Sequence, residues 1–259
     1  MPFLTVAGAR AHYVHRRPVP AAGPPVVFVH GAGGTHQHWL YQVRDLPHSP
    51  TYALDLPGHG RSEGQGRDDI QTYSDWLVEF LDAAGEERAV LVGHSMGGAI
   101  AMDTALRHAG RVVGLGLVAT GARLRVAPAI LNGILEDPEA AVRLICDFAF
   151  GPETSPETVR LGRRQMGAIL PEVIHGDFVA CDAFNVMDRL GEIAAPAFVL
   201  CGTQDHLTPS KYSVYLRDGI ARSVLHLVEG AGHMVMVERP EAVGEALSAF
   251  LESLSDAQG

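Results

Sequence analysis

The stretch Val90-Leu-Val-Gly-His-Ser-Met-Gly-Gly-Ala99 places a serine between an apolar, strand-like run and a helical pattern. Gly93, Ser95 and Gly97 have the spacing G-x-S-x-G. A serine at the tip of such a strand-to-helix turn takes strained backbone dihedrals, and its hydroxyl stands clear of the backbone. The two glycines let the strand and the helix approach without Cβ clashes. The stretch predicts a nucleophile elbow with Ser95 as the nucleophile.

Short β-branched runs alternate with helical patterns on both sides of the elbow. This alternation predicts an α/β fold with a mostly parallel sheet covered by helices on both faces. The first 17 residues predict a β-hairpin with Gly8 near its turn. The predicted strands of the sheet are Val26–Val29, Tyr52–Leu54, Ala89–Val92, Val112–Val118, Ala197–Leu200 and Val224–Val228.

Two polar residues follow later predicted strands and are candidates to activate the serine. Asp205 lies in the loop after Ala197–Leu200, and His233 lies in the Gly-rich loop after Val224–Val228. Because ligand sites of parallel sheets gather at the carboxyl ends of the strands, we expect both residues near Ser95. A serine nucleophile needs a base, and the base needs an orienting group. The pattern predicts a catalytic triad of Ser95, His233 and Asp205.

An oxyanion hole is predicted from two strand ends. The turn His30-Gly-Ala-Gly-Gly34 leaves backbone N–H groups free to face a ligand. We expect the Ala32 N–H to pair with the Met96 N–H at the start of the helix after the elbow, where the helix dipole favours negative charge.

From about residue 121 to residue 194, no strand is predicted. Four helical patterns, Ala129–Leu135, Glu139–Phe148, Thr158–Leu170 and Ile174–Asp188, are separated by prolines, which predicts a separate helical lobe over the sheet. Its apolar side chains suit acyl chains, and they suit an ordinary packed lobe equally well. The predicted substrate-binding residues are His36, Trp39, Ile130, Ile134, Met166, Phe184 and Met234.

Composition limits the partners. A net charge of −10 argues against nucleic acid and anionic membranes as partners, and no run is apolar enough for membrane insertion. The three widely spaced cysteines and the lack of a signal-peptide pattern predict a cytoplasmic protein without disulfides. No metal constellation or cofactor motif is present in the sequence, so we expect neither a metal nor a cofactor. The oligomeric state is left open.

Taken together, these motifs resemble the α/β-hydrolase family over nearly the whole chain. The resemblance rests on His30-Gly31, Asp55-Leu-Pro-Gly-His-Gly-Arg-Ser62, Gly93–Gly97, the Asp205 loop and Gly232-His233. It implies an eight-stranded sheet and a helical cap inserted after the sixth strand. The hydrolase core is then 1–120 with 195–259, and the cap is 121–194. It also implies the three triad roles named above, and it is strongest for carboxylesterase and monoglyceride-lipase-like members.

We therefore hypothesise a serine esterase that acts on small-molecule esters of short to medium acyl chains. Activity is expected to rise with pH through roughly 6–7, because the histidine base must be neutral. His30, His59, His94 and His206 are expected to be structural or loop residues. Other activities on the same scaffold stay open, namely thioesterase, lactonase, C–C bond hydrolase and perhydrolase. A non-catalytic small-ligand receptor is the alternative of another class.

Overall fold

A computed structural model of the protein describes residues 2–21 and 23–256. The described residues form one eight-stranded sheet with the strand order β1-β2-β4-β3-β5-β6-β7-β8. The strands β1 and β2 pair antiparallel, as do β2 and β4, and the remaining neighbours are parallel. The predicted mostly parallel sheet is confirmed. Its strands are β1 (Phe3–Val6), β2 (Ala9–Arg16), β3 (Val26–Val29), β4 (Thr51–Leu54), β5 (Ala89–His94), β6 (Val112–Val118), β7 (Ala197–Gly202) and β8 (Ser223–Val228).

The central strands are buried on both faces, as their uninterrupted apolar runs predict. Along β5, Leu91 belongs to one hydrophobic cluster, whereas Val90 and Val92 belong to a second cluster. Successive side chains of a strand point to opposite faces, so these two clusters are the two cores of the sheet.

Helices cover the sheet and begin and end at residues typical of helix termini. In α2, the Asp69 side chain accepts a hydrogen bond from the Gln71 N–H at the start, and Gly85 ends the helix with a φ of 73°. Three short 3₁₀ turns occur among the described residues, at His36–Trp39, Ala109–Arg111 and Met187–Glu192. The α-helices are α1 (Leu40–Asp45), α2 (Ile70–Ala84), α3 (Met96–Arg107), α4 (Pro128–Glu136), α5 (Pro138–Ala149), α6 (Pro156–Met166), α7 (Pro171–Ala183), α8 (Ser210–Gly219), α9 (Val235–Glu238) and α10 (Pro240–Asp256).

The fully described stretch between β6 and β7 holds four helices, α4 to α7, which share a small hydrophobic cluster of their own. Two helices in this stretch were predicted with wrong boundaries. The helix predicted as Thr158–Leu170 ends at Met166, before Gly167, and the helix predicted as Ile174–Asp188 runs from Pro171 to Ala183. The second of these helices begins at Pro171. Proline disfavours helical backbone at the residue before it, so the two helices separate before Pro171. That this stretch is a domain of its own stays a prediction.

No helix in the described part of the chain combines the length and the apolar character that crossing a membrane requires.

Candidate active site

Ser95 sits between β5 and α3 in a conformation that few non-glycine residues adopt. Its φ is 52° and its ψ is −116°. Two hydrogen bonds hold the turn, from the Ser95 N–H to the Val118 oxygen at 3.0 Å and from the Thr120 hydroxyl to the Ser95 oxygen at 2.7 Å. The turn brings α3 against the strands so closely that a Cβ on Gly97 would lie 2.3 Å from the Val29 oxygen. The elbow geometry is therefore present.

Asp205 and His233 meet in the loops after β7 and β8. Asp205 Oδ2 lies 2.9 Å from His233 Nδ1, and both side chains are buried. Burial alone would raise the pKa of Asp205, but His233 and hydrogen bonds from Thr208 outweigh burial and hold that pKa below its ordinary value. Asp205 is consequently an ionised acceptor for the imidazole at neutral pH.

Thr208 is a residue of this site that the sequence analysis missed. Its hydroxyl donates to Asp205 Oδ2 at 2.8 Å and lies 3.1 Å from His233 Nδ1. The N–H groups of Leu207 and Thr208 donate to Asp205 Oδ1 at 2.9 and 2.8 Å. An aspartate that accepts from N–H groups two and three residues later is an Asx-type turn, so the Asp205-His-Leu-Thr-Pro209 pattern was a usable signal.

His94, which we expected to be structural, lies beside the candidate base. Its ring centroid is 4.6 Å from that of His233, and in the tautomer protonated at Nε2 it donates to the His233 backbone oxygen at 3.1 Å. Burial, followed by the neighbouring His233 and His38, holds the pKa of His94 well below its ordinary value. A neutral His94 can anchor the His233 loop without adding charge next to the base.

Ser95 and His233 line the same cavity, but Ser95 Oγ makes no hydrogen bond to His233 in the described structure. Such catalytic contacts are commonly long in unliganded enzymes and tighten when substrate binds.

The two candidate oxyanion donors are the backbone N–H groups of Ala32 and Met96. Ala32 lines the cavity with Ser95, and Met96 is the first residue of α3, where the first N–H groups of a helix lack intrahelical partners. The next residue of the Ala32 loop, Gly33, has a φ of 61°, and its N–H donates to Asp177 Oδ2 at 2.8 Å. Asp177 belongs to α7, so this bond ties the helical segment to the candidate oxyanion loop.

Asp177 is completely buried and accepts two further hydrogen bonds. Its Oδ2 lies 2.8 Å from His59 Nε2, and its Oδ1 accepts from the Tyr73 hydroxyl at 2.7 Å. Burial would lower the pKa of His59, but the charge of Asp177 and its hydrogen bond raise that pKa above the ordinary value. No local sequence pattern indicates this cluster, because Tyr73 and His59 are 104 and 118 residues from Asp177.

The cavity beside Ser95 has a volume of about 280 Å³ and mostly apolar walls. Three of the predicted substrate-binding residues, Ile130, Met166 and Met234, line it. His38 also lines it, as does His206, which was expected to be a surface or loop residue and lies in the loop between β7 and α8. Burial is the largest cause that lowers the pKa of His38, to about 4.

The other four predicted substrate-binding residues lie away from this cavity. His36 turns its Nδ1 to Asp55 at 2.8 Å, and Trp39 is fully buried against Phe28 with ring centroids 5.0 Å apart. Ile134 packs in the cluster shared by the helices of the segment, and Phe184 packs in one core of the sheet. Apolar character alone does not distinguish residues that pack from residues that line a cavity, and these four side chains are not among the lining residues.

One buried group in the described structure has the composition of a metal site, namely His12, His36 and Asp55, whose ligand atoms lie within 4.8 Å of one another. Both imidazole Nδ1 atoms lie 2.8 Å from the Asp55 carboxylate, which also accepts from the N–H groups of His36 and Arg61. These contacts show that the three residues form a hydrogen-bond network. That catalysis needs neither a metal nor a cofactor stays a prediction.

Comparisons with known proteins agree with this geometry. Residues 26–246 match the model of the "Alpha/beta hydrolase family". The chain is 32% identical over 245 residues to the dihydrolipoyllysine-residue acetyltransferase component of the acetoin cleaving system of Pseudomonas putida, covering 88% of this chain but only 64% of that protein. It is 28% identical over 251 residues to the pimeloyl-(acyl-carrier protein) methyl ester esterase of Pectobacterium carotovorum, covering 90% of this chain and 96% of that one.

Among solved structures, a thermophilic esterase matches with a TM-score of 0.88 and 34% identity, covering 98% of this chain and 97% of that one. The family match spans most of the chain, and esterases are among its structural neighbours. The expected family resemblance is confirmed, and the chain is a hydrolase that belongs to the alpha/beta hydrolase family.

Proposed function

We propose that this hydrolase cleaves carboxylic esters of short to medium acyl chains through an acyl-enzyme intermediate. Ser95 Oγ attacks the carbonyl carbon while His233 Nε2 accepts its proton, and Asp205 orients and stabilises the imidazolium. The N–H groups of Ala32 and Met96 bind the developing oxyanion. The alcohol leaves with the proton from His233, and water then cleaves the acyl-enzyme.

The observation that carries this proposal is the 2.9 Å contact between Asp205 Oδ2 and His233 Nδ1 at the cavity that Ser95 also lines. An ionised carboxylate at Nδ1 fixes the tautomer in which Nε2 is free to accept a proton. The lowered pKa of Asp205 supports that ionised state.

The cavity walls support an ester with an apolar acyl group. Ile130, Met166 and Phe178 from the helical segment line it, together with Met234 from the loop after His233. A volume of about 280 Å³ favours short to medium chains over long ones. The similarity to proteins named as esterases points to the same chemistry.

We also propose that residues 121–194 act as a cap over a core formed by 1–120 and 195–259. The lining side chains of α4, α6 and α7 support this division, as do the hydrogen bonds that Asp177 accepts from Gly33, His59 and Tyr73. In this arrangement, the cap supplies the apolar wall against which the acyl chain packs.

The test is hydrolysis of p-nitrophenyl esters from acetate to palmitate by the wild type, Ser95→Ala and the control Ser248→Ala. Ser248 lies on α10 and does not line the cavity. We expect Ser95→Ala to lose at least about 10³-fold in kcat, because no nucleophile remains, and Ser248→Ala to match the wild type. Turnover that survives in Ser95→Ala would contradict the nucleophile. A wild type inactive on every chain length would contradict ester hydrolysis and favour a thioesterase, a C–C bond hydrolase or a receptor.

A further inference from the structure

The cavity beside Ser95 has an uneven charge distribution. Its wall from the helical segment is apolar, with Ile145, Phe150, Met166 and Phe178. Of the described residues that line the cavity, Arg125 is the only lysine or arginine, and none is an aspartate or glutamate. Apart from the proposed oxyanion donors, Arg125 is therefore the group of this cavity that would attract a negatively charged part of a substrate. Contact with the apolar wall would remove the water around such a charge without replacing it.

A second cavity, of about 260 Å³, borders the first and shares Arg125 and Tyr212 with it. Of the seven described residues that line this second cavity, three are cationic, Arg123, Arg125 and Lys211, and none is acidic. We call these three residues the cationic cluster. Such a cluster stands out in a chain with a net charge of −10.

The charges of the cationic cluster are largely uncompensated. Arg123 and Lys211 are exposed, and neither has a carboxylate partner within ion-pair distance in the part of the chain that the structure describes. Lys211 Nζ lies 5.6 Å from the centroid of the Tyr212 ring. Arg125 Nη1 lies 3.6 Å from Asp182 Oδ2, so one of the three charges is partly neutralised. The local potential favours an anion at this end of the cavity.

Building on the proposed esterase function, we propose that the cationic cluster binds a carboxylate on the alcohol part of the substrate. The acyl chain packs against the apolar wall, so the alcohol part extends towards Arg125 and Tyr212. Guanidinium groups bind carboxylates in a bidentate geometry, and Lys211 adds a point charge. The enzyme therefore prefers esters whose leaving alcohol carries a carboxylate over neutral esters of the same shape.

The test compares two esters that differ only in charge, the butanoate esters of 4-hydroxybenzoate and of 4-hydroxybenzamide. The variant Arg123→Gln/Arg125→Gln/Lys211→Gln removes the cationic cluster. A matched control, Arg88→Gln/Arg164→Gln/Arg222→Gln, removes the same total charge at exposed positions that line neither cavity.

For the cluster variant, we expect kcat/KM on the anionic ester to fall about tenfold, mainly through KM, because exposed ion pairs each contribute little and three are lost. Its kcat/KM on the neutral ester stays within about twofold. The control variant behaves as the wild type, and added salt weakens the wild-type preference. Equal losses on both esters, or no loss on either, would overturn the proposed site.

Binding of both esters to Ser95→Ala by calorimetry separates this proposal from the proposed function. Tighter binding of the anionic ester that disappears when the cluster is also removed supports the site, even if the wild type hydrolyses neither ester and the esterase proposal fails. Equal binding of the two esters would overturn the site, even if both are hydrolysed.

Discussion

Ser95 has a φ of 52°, and neighbouring hydrogen bonds hold it there. Backbone strain of this kind costs on the order of 1–3 kcal/mol and persists where surrounding contacts enforce it. Here the contacts come from β6 and from Thr120, just beyond its end. The elbow therefore depends on the close approach of strand and helix. At position 97, no residue larger than glycine permits this approach.

We expect Gly97→Ala to abolish esterase activity and to lower the free energy of unfolding by several kcal/mol. The new Cβ would lie 2.3 Å from the Val29 oxygen, so backbone must move. Gly244→Ala is the control, because no atom lies within 4 Å of its added Cβ. Within α10 this change should stabilise the protein by about 0.5–1 kcal/mol. Urea unfolding of both variants measures this, and an active, stable Gly97→Ala variant would contradict the steric argument.

At the scale of single residues, the sequence indicated candidate site residues wherever a polar residue follows the end of a strand. Ser95, Asp205 and His233 were predicted in this way, because the topology of a parallel sheet brings strand ends together. Asp177 could not be found, because its contact with Gly33 joins residues 144 positions apart and depends on how α7 packs. Trp39, Ile134 and Phe184, which pack instead of lining the cavity, show the same limit for apolar side chains.

At the scale of elements, α7 is tied to the candidate oxyanion loop by a buried carboxylate. Asp177 accepts from the Gly33 N–H, from His59 and from Tyr73, each at 2.7 or 2.8 Å. Because the Gly33 N–H belongs to the peptide that follows Ala32, this bond sets the orientation of the loop that carries the proposed Ala32 donor. A helix far along the chain thus positions part of the proposed catalytic machinery.

For Asp177→Asn, we expect kcat on p-nitrophenyl butanoate to fall roughly tenfold with KM within about twofold. A shifted donor costs less than an absent one, which costs about 10²–10³. Affinity for a trifluoromethyl ketone should fall in parallel, since its adduct with Ser95 needs the oxyanion hole. Glu172→Gln, which also neutralises one carboxylate on α7, is the control, because Glu172 is exposed and does not line the cavity. If both variants change kcat and the affinity for the ketone equally, Asp177 does not position the oxyanion loop.

The ion pair of His59 with Asp177 predicts a pH-dependent stability. Because the pKa of His59 is raised, its contribution to the free energy of unfolding is fully present below its unfolded pKa of about 6.5 and is lost as pH rises through the folded value. We expect the difference in unfolding free energy between wild type and His59→Gln to shrink from pH 6 to pH 9. Urea unfolding across this range measures the difference, and a constant difference would contradict the raised pKa.

Element types were predictable from periodicity, but some boundaries were not. The strands Val26–Val29 and Val112–Val118 were predicted with their observed bounds. Pro25 and His30 delimit the first apolar run, and Arg111 precedes the second. The boundary between α6 and α7 was misjudged because the apolar pattern continues through Ala168, Ile169 and Leu170, where Gly167 and Pro171 interrupt the helix. Local backbone chemistry outweighed hydrophobic periodicity there.

At the scale of the whole molecule, the sheet order brings the ends of β5, β7 and β8 to one edge, where Ser95, Asp205 and His233 lie. The alternation of strands and helices was enough to predict this architecture.

The charge balance predicts a second property of the whole molecule. A net charge of −10 repels anions from most of the surface. The largely uncompensated cationic cluster is expected to attract anions locally.

The central claim is that Ser95 becomes acylated during turnover, and mass spectrometry of the acid-quenched reaction with p-nitrophenyl butanoate tests it most directly. We predict a burst of nitrophenol of about one per chain and one butanoyl group on the peptide that contains Ser95. Both signals should be absent in Ser95→Ala. Steady turnover by the wild type without an adduct, or an adduct on a residue other than Ser95, would contradict the account.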